Sequence, residues 1–402
     1  MEDIMKKYIL SVMVILLSGC SSLKQYNALP EHLENQVQMP GFKNVRAWSD
    51  EHSRGLENSA IESIKQEQNA NHGKLSPEMA ALALSGGGSD GAFGAGFLCG
   101  WTKTGARPHF KVVTGISTGA LIAPFAFLGP SYDAKLQRVY TNISEDQIYK
   151  QYSIFSIFMS IIKLQSLPSV ATNEPISKLI KKEIDMDMLR KIAIEHKKGR
   201  RLLIGTTQFN AQRLVIWNMG QLATYNTPAA LALFHKILLA SAAIPVTFPP
   251  EYFQVEAGGK LYDEMHVDGG IEAQVMLYEN AVLPFSKAVG SNHRVQRPRK
   301  LYIIRNEKIY PEWKNVKPQL KDIAIRSIDS LIKSQGIGDL FRLYAYSLRD
   351  NIEYNLVFIP DNFTETEPHP FDNAYMRKVF KLGFTMGKSK EPLRHTPPGF
   401  DP

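Results

Sequence analysis

Two glycine-framed stretches and one Asp-Gly-Gly turn carry residue types able to do chemistry. "ALALSGGGSDGAFGAG" (81–96) sets Gly86, Gly87 and Gly88 behind an apolar run, and "VVTGISTGA" (112–120) places Ser117 between Gly115 and Gly119. A G-x-S-x-G between an apolar strand and an apolar helix is the context of a nucleophile elbow: the serine sits on a tight turn at the carboxyl end of a sheet, with a helix amino end favouring developing negative charge. A serine attacking an ester also needs backbone N–H groups aimed at the oxyanion, and a bare glycine run can bring them close because no Cβ intervenes. It needs a base as well. His235, His266, His293, His369 and His395 lie in no recognisable histidine motif, so Asp268 in "HVDGGIEAQV" is the better candidate, although Asp-Gly-Gly also reads as an ordinary turn.

Two nucleotide readings of the glycines fail. Gly86, Gly88 and Gly91 satisfy G-x-G-x-x-G, but a dinucleotide fold needs an acidic residue about 20 positions on. No Asp or Glu occurs between Asp90 and Asp133. Nor does Gly-Lys-Ser/Thr follow, which excludes a P-loop. The formal charge of +8 is a mild basic bias that suits an anionic membrane surface and nucleic acid equally well. No RNA-binding aromatic signature, zinc-finger spacing or basic helix accompanies it, so nucleic acid is not an expected partner.

The elements that must hold these residues are legible as alternating patterns. With 402 residues, 44% of them hydrophobic, the chain has ample material for a core. "MAALALSG", "FKVVTG", "RLLIGTTQ", "RLVIWN", "KLYIIRN" and "NLVFIP" read as buried strands, with helical stretches such as "TPAALALFHKILLASA" between some of them. This predicts an α/β domain with a largely parallel sheet, ending in an amphipathic helix over "FDNAYMRKVFKLGFTMGKS". "YSIFSIFMSIIKL" (152–164) predicts a further helix with one polar stripe, and "HRVQRPRK" (293–300) a solvated basic loop.

The amino end has a different character. Lys6 and Lys7 precede a ten-residue apolar stretch too short to span a bilayer, which ends in Leu17-Ser18-Gly19-Cys20. That ending resembles the bacterial lipobox and predicts a lipidated Cys20, a membrane anchor and, since Ser21 rather than Asp follows, an outer-membrane address in the cell envelope. The expected organisation is a signal peptide (1–20), a polar tether with one loosely docked helix (21–77), an α/β domain (78–390) and a tail (391–402). Cys99 is expected to be a small core residue.

Taken together, "GGGSDG" (86–91), "GISTG" (115–119), "DGG" (268–270) and "ASAAIPVTFPP" (240–250) resemble four blocks of the patatin-like phospholipase family, in the right order over roughly residues 78 to 310. The resemblance implies a three-layer α/β/α fold, Ser117 as nucleophile, Asp268 as base of a Ser-Asp dyad and the backbone of Gly86, Gly87 and Gly88 as oxyanion hole. Gly91, Gly115, Gly119, Gly269 and Gly270 are then the motif glycines. It implies a lipid ester as substrate, with no metal or cofactor. A Ser-His-Asp esterase and a lipid-binding envelope module with little turnover are the rival readings. Asp90 stands where the family often carries Arg or Lys, and an acidic side chain there disfavours an anionic head group unless it points away or caps the following helix.

Overall fold

A strand covered on both faces has no position that can tolerate water, and Met79–Leu84 meets that demand: all six side chains are buried. In the computed structural model, which describes residues 26–142, 150–151, 171–277, 297–389 and 393–400, this strand lies at the centre of the sheet. The strands are β1 (Arg46–Trp48), β2 (Met79–Leu84), β3 (Val112–Gly115), β4 (Lys150–Gln151), β5 (Ala171–Thr172), β6 (Arg201–Gln208), β7 (Arg213–Asn218), β8 (Glu251–Ala257), β9 (Lys260–Asp268), β10 (Arg299–Arg305) and β11 (Glu353–Phe358). The sheet order is β1-β7-β6-β3-β2-β10-β11, while β4 and β5 pair separately.

The five strands from β6 to β11 in that order run parallel. The expected parallel sheet is thus its core, and the departure lies at one flank. There "RLLIGTTQ" and "RLVIWN" form an antiparallel pair, and β1 adds antiparallel to β7. A β8–β9 hairpin, turned at Gly258 and Gly259 with φ of 55° and 75°, attaches antiparallel to the outer end of β6.

The helices are α1 (Arg54–Ala70), α2 (Gly91–Lys103), α3 (Thr118–Leu128), α4 (Asp133–Thr141), α5 (Glu174–Glu183), α6 (Met186–Lys197), α7 (Met219–Ala223), α8 (Pro228–Ser241), α9 (Leu320–Arg349) and α10 (Asn373–Gly387). Strand side chains alternate between two cores. Leu82, Leu84, Val113, Ile204 and Ile304 pack with α2, α3, α8 and α10, whereas Ala81, Ala83, Val112, Leu203 and Ile303 pack with Leu56 of α1 and Leu340 and Leu343 of α9. This is the three-layer α/β/α arrangement. Among the described residues, no helix is long and apolar enough to cross a membrane.

The segment expected as a polar tether is, from Tyr26 onward, part of the domain. Trp48 and Val45 are buried in the first core, and α1 buries Leu56, Ala60 and Ile64. Its polar sequence misleads because much of its docking is ionic. Glu67 meets Lys111 at 2.7 Å and Arg297 at 2.5 Å, and although burial raises a carboxyl, these two cations bring Glu67 down to about 2. The tail also adheres: Arg394 forms a bridge to Leu356, and Phe400 packs on Phe341 and Tyr344.

Helices α2 and α10 cross backbone to backbone. A Cβ at Gly96 would stand 2.1 Å from the carbonyl oxygen of Phe380, and one at Gly383 would stand 2.1 Å from that of Phe93. Only glycine permits this approach, which fixes where α10 delivers Tyr375 and Met376. Residues 152–164 and Cys20 lie outside the described residues. So does the first half of the basic loop (293–296); in the second half Arg297 is held by Glu67 and Lys300 by Glu78 at 2.7 Å.

Candidate active site

The carboxyl ends of β2, β3 and β10 lie side by side at one edge of the sheet, because the strands are parallel and in register from Ala81 to Leu84. Ser117 leaves β3 at φ 54° and ψ −125°, and α3 starts at the next residue. Such a backbone costs roughly 1–3 kcal/mol and persists only when its surroundings over-determine it. Here they do. Ser117 N donates to Ser241 Oγ at 3.0 Å, and Ser241 Oγ in turn donates to the Gly205 carbonyl at 2.7 Å. Behind the turn, a Cβ on Gly119 would lie 2.4 Å from the Leu84 carbonyl oxygen, and one on Gly115 would lie 2.5 Å from that of Gly119.

The glycine loop runs directly alongside. A Cβ on Gly86 would be 3.3 Å from Ser117 Cβ, and one on Gly91 would overlap Thr118. Gly87 has φ of 150° and abuts Asn306, whose carbonyl oxygen would lie 2.0 Å from any added Cβ. Asn306 clamps the loop: its N–H donates to Ser85 Oγ and its Nδ2 to the Ser85 carbonyl, both at 2.8 Å, while its Oδ1 accepts from Gly94 N at 3.0 Å. The three glycines are not equivalent. Gly86 N donates to the Gln274 carbonyl at 3.0 Å, whereas the Gly87 and Gly88 N–H groups have no hydrogen-bond acceptor among the described residues.

Asp268 ends β9 and is 4% exposed. Its N–H donates to the Ala243 carbonyl at 2.9 Å and its carbonyl accepts from Thr207 Oγ1 at 2.9 Å. Oδ1 accepts from Gly270 N at 2.7 Å, whereas Oδ2 makes no hydrogen bond of ordinary geometry among the described residues. Burial pushes this carboxyl up to about 7, opposed in part by the nearby Ser117 hydroxyl and by Gly270 N–H. The "ASAAIPVTFPP" block therefore straps both residues: Ser241 holds the Ser117 amide, and Ala243 holds that of Asp268. Gln274 carries no recognisable motif, yet it ties the site together. Its carbonyl takes Gly86 N, its Nε2 donates to the Gly270 carbonyl at 2.8 Å, and its own N–H donates to Asp339 Oδ2 of α9 at 2.7 Å.

No described histidine stands by the pair. His266 is fully buried between Thr206 Oγ1 (2.9 Å) and Glu264 Oε2 (3.2 Å), His235 Nε2 meets the Ile184 carbonyl at 2.6 Å, and His395 Nδ1 meets that of Tyr354 at 3.1 Å. His369 pairs with Asp372 at 3.4 Å, and His293 lies outside the described residues. Cys99 is a buried core residue whose thiol burial pushes up to about 12.

A cavity of about 70 Å³ opens between Gly88 and Thr118. Its walls are almost wholly apolar, from Leu121 and Phe125 of α3, Ile176 and Ile180 of α5, Phe371 and Met376. The only carboxylate among the described lining residues, Glu183, is paired with Arg138 at 3.1 Å and Lys135 at 3.6 Å. An apolar slot beside the glycine loop suits an acyl chain, whose burial is worth about 0.8 kcal/mol per CH₂.

Asp90 does not cap α2; its Oδ1 accepts from the Tyr375 hydroxyl at 2.7 Å. Burial raises this carboxyl to about 7, with Tyr375 opposing and Glu307 and Glu367 reinforcing the rise. It is neutral for much of the time near neutrality and is turned toward α10, which weakens its expected repulsion of an anionic head group. Because the folded value lies above 3.8, the stability this group contributes is complete below about pH 4 and lost as pH rises through 7. Tyr375→Phe removes the donor that serves the charged form, so urea denaturation is expected to show a larger loss of stability at pH 8 than at pH 5.

The sequence model described as patatin-like phospholipase matches residues 82–281, a span that contains the glycine loop, the Ser117 turn and Asp268. A search of the curated proteins gives no match. Among solved structures, VipD from Legionella pneumophila is similar at 13% identity over 78% of this chain and 67% of that one, with a TM-score of 0.35. The type III effector ExoU is similar at 12% identity over 80% of this chain, with a TM-score of 0.28. The ExoU–SpcU complex from Pseudomonas aeruginosa gives 12% identity and a TM-score of 0.30. The match spans about half the length of ExoU, 55% of that chain.

Proposed function

The chain belongs to the patatin-like phospholipase family through residues 82–281, and on that premise we propose that it is a serine lipid acyl hydrolase working through a Ser117–Asp268 dyad. The observation that carries the reading is the state of Asp268: buried, raised to about 7 against the pull of the nearby Ser117 hydroxyl, and with Oδ2 left without a hydrogen bond of ordinary geometry among the described residues. An ordinary carboxylate is too weak a base for a serine proton, and desolvation supplies the missing basicity.

Ser117 Oγ attacks the ester carbonyl carbon as its proton passes to Asp268 Oδ2. The carbonyl oxygen becomes an oxyanion, met by the N–H groups of Gly87 and Gly88 and by the amino end of α3. Gly86, its N–H engaged by Gln274, shapes the loop instead of donating. Collapse of the intermediate expels the alcohol, which takes the proton from Asp268 and leaves an acyl-Ser117. Water then attacks that ester, giving its proton to Asp268; collapse of the second intermediate returns it to Ser117 Oγ and frees the fatty acid. The apolar cavity between Gly88 and Thr118 accepts the acyl chain.

Fluorophosphonate treatment followed by peptide mapping tests the assignment: the adduct is expected on Ser117, together with release of free fatty acid from lipid extracts. A protein that takes no label and releases no fatty acid would instead be a lipid-binding module. We further propose that lipid on Cys20 holds the enzyme on a membrane, supported by the Leu17-Ser18-Gly19-Cys20 ending. Metabolic labelling with alkyne-palmitate is expected to disappear in Cys20→Ala, and its persistence would refute the anchor.

A further inference from the structure

Helix α9 runs antiparallel to the central strands, and its first half has no strand beneath it. Gly336 lies against the guanidinium of Arg305, the last residue of β10, and Gln335 Nε2 donates to the Ile271 carbonyl, just past the Asp268 turn. From that level toward its carboxyl end α9 is packed: Asp339, Leu340, Leu343 and Ser347 are buried. Toward its amino end, none of the described side chains from Leu320 to Gln335 is buried. Fifteen residues at about 1.5 Å each carry the helix roughly 22 Å beyond the edge of the sheet where Ser117 and Asp268 sit.

The overhang exposes large apolar side chains among its polar ones. Leu320 is 87% exposed and Leu331 70%, with Ile323 and Ile328 also exposed. The segment that leads into α9 lies along it, tied by Lys333 Nζ to the Tyr310 carbonyl at 3.0 Å, and presents Trp313 at 98% exposure. Residues 312–333 hold five basic against three acidic side chains, and Lys314 and Lys317 follow Trp313 in solvent.

We infer that this overhang, centred on Trp313, Leu320 and Leu331, is a docking surface for an anionic lipid bilayer that seats the membrane against the mouth of the site. An exposed indole and leucines beside lysines match the apolar-in, cation-at-the-headgroup pattern of interfacial helices. The placement supplies the second reason: the patch projects from the edge that holds Ser117, so the surface it binds is the surface from which an acyl chain would be taken. In this last respect the inference rests on the hydrolase reading above; docking itself does not.

The chain has four tryptophans, and Trp48, Trp101 and Trp217 are buried, so Trp313 alone is placed to report contact with lipid. Full-length Ser117→Ala protein, which leaves the vesicles intact, is mixed with phosphatidylethanolamine/phosphatidylglycerol vesicles carrying brominated acyl chains. Quenching of tryptophan emission is expected and should vanish in Trp313→Phe. Unquenched emission would overturn the proposal. So would a blue-shifted Trp313 in lipid-free protein that sediments as a dimer, which would make the face an interface between copies. In the active enzyme, the triple variant Trp313→Ser/Leu320→Ser/Leu331→Ser is expected to lose at least about tenfold of its rate on vesicle lipid. Its rate on soluble p-nitrophenyl butyrate should stay within about twofold, and its thermal melt should match the wild type. Equal loss on both substrates, or none on vesicles, would refute the docking role. Quenching without any ester hydrolysis by the wild type would instead refute the catalytic reading and leave docking standing.

Discussion

Ser117→Ala is expected to abolish fluorophosphonate labelling and to lower kcat on any ester by about 10⁵-fold, the scale seen when a nucleophile that acts as part of a unit is removed. KM and the thermal midpoint should change little. In the proposed mechanism the side chain contributes one reacting oxygen, whereas the turn is held by backbone: Ser117 N on Ser241 Oγ, and the Gly119 and Leu84 main chains packed against each other. Alanine is as unwelcome as serine at φ 54°, so the strain is the same in both proteins. The buried Asp268 carboxyl would lose the hydroxyl that favours its charged form and shift further upward, a change visible in the pH dependence of stability. Label that persists on the variant would move the nucleophile elsewhere and take the dyad with it.

What could be read in the sequence was what is local. The glycine loop, the Ser117 turn and the Asp268 turn each occupy a few consecutive residues whose types follow from one steric or chemical demand. The strands of the parallel core are legible for the same reason, since burial on both faces writes an unbroken apolar run. Other features depend on partners far along the chain. Asp90 could not be interpreted without Tyr375, which lies 285 residues away and reaches it only because Gly96 and Gly383 let α2 and α10 touch. Gly86 looks identical to its two neighbours until Gln274 is seen to occupy its amide. The segment after Tyr26 reads as a tether because α1 docks through Glu67, Lys111 and Arg297 as much as through apolar side chains, and because β1 is three residues long. Strand direction was equally hidden: "RLLIGTTQ" and "RLVIWN" carry the same apolar signature although they run in opposite senses.

Asp268→Asn is expected to lower kcat by about 10³-fold or more and to raise stability at alkaline pH, and the two effects have one cause. An amide fits the same space and can still accept the Gly270 N–H through its oxygen, but it cannot take the Ser117 proton. As the proposed base, Asp268 is competent only when ionised, so kcat/KM should rise with pH through about 7, the value to which burial lifts this carboxyl. Stability runs the other way. Since the folded value exceeds the ordinary 3.8, the neutral form favours the fold; that contribution is complete below about pH 4 and is lost as pH climbs through 7. A shift of this size corresponds to up to about 4 kcal/mol, so the asparagine variant should melt well above the wild type at pH 8 and alongside it at pH 4. Calorimetry at the two pH values, set beside kcat/KM profiles, distinguishes this from a merely structural role. A residue that only held the turn would cost stability on substitution, whereas a desolvated base returns stability when removed and takes activity with it.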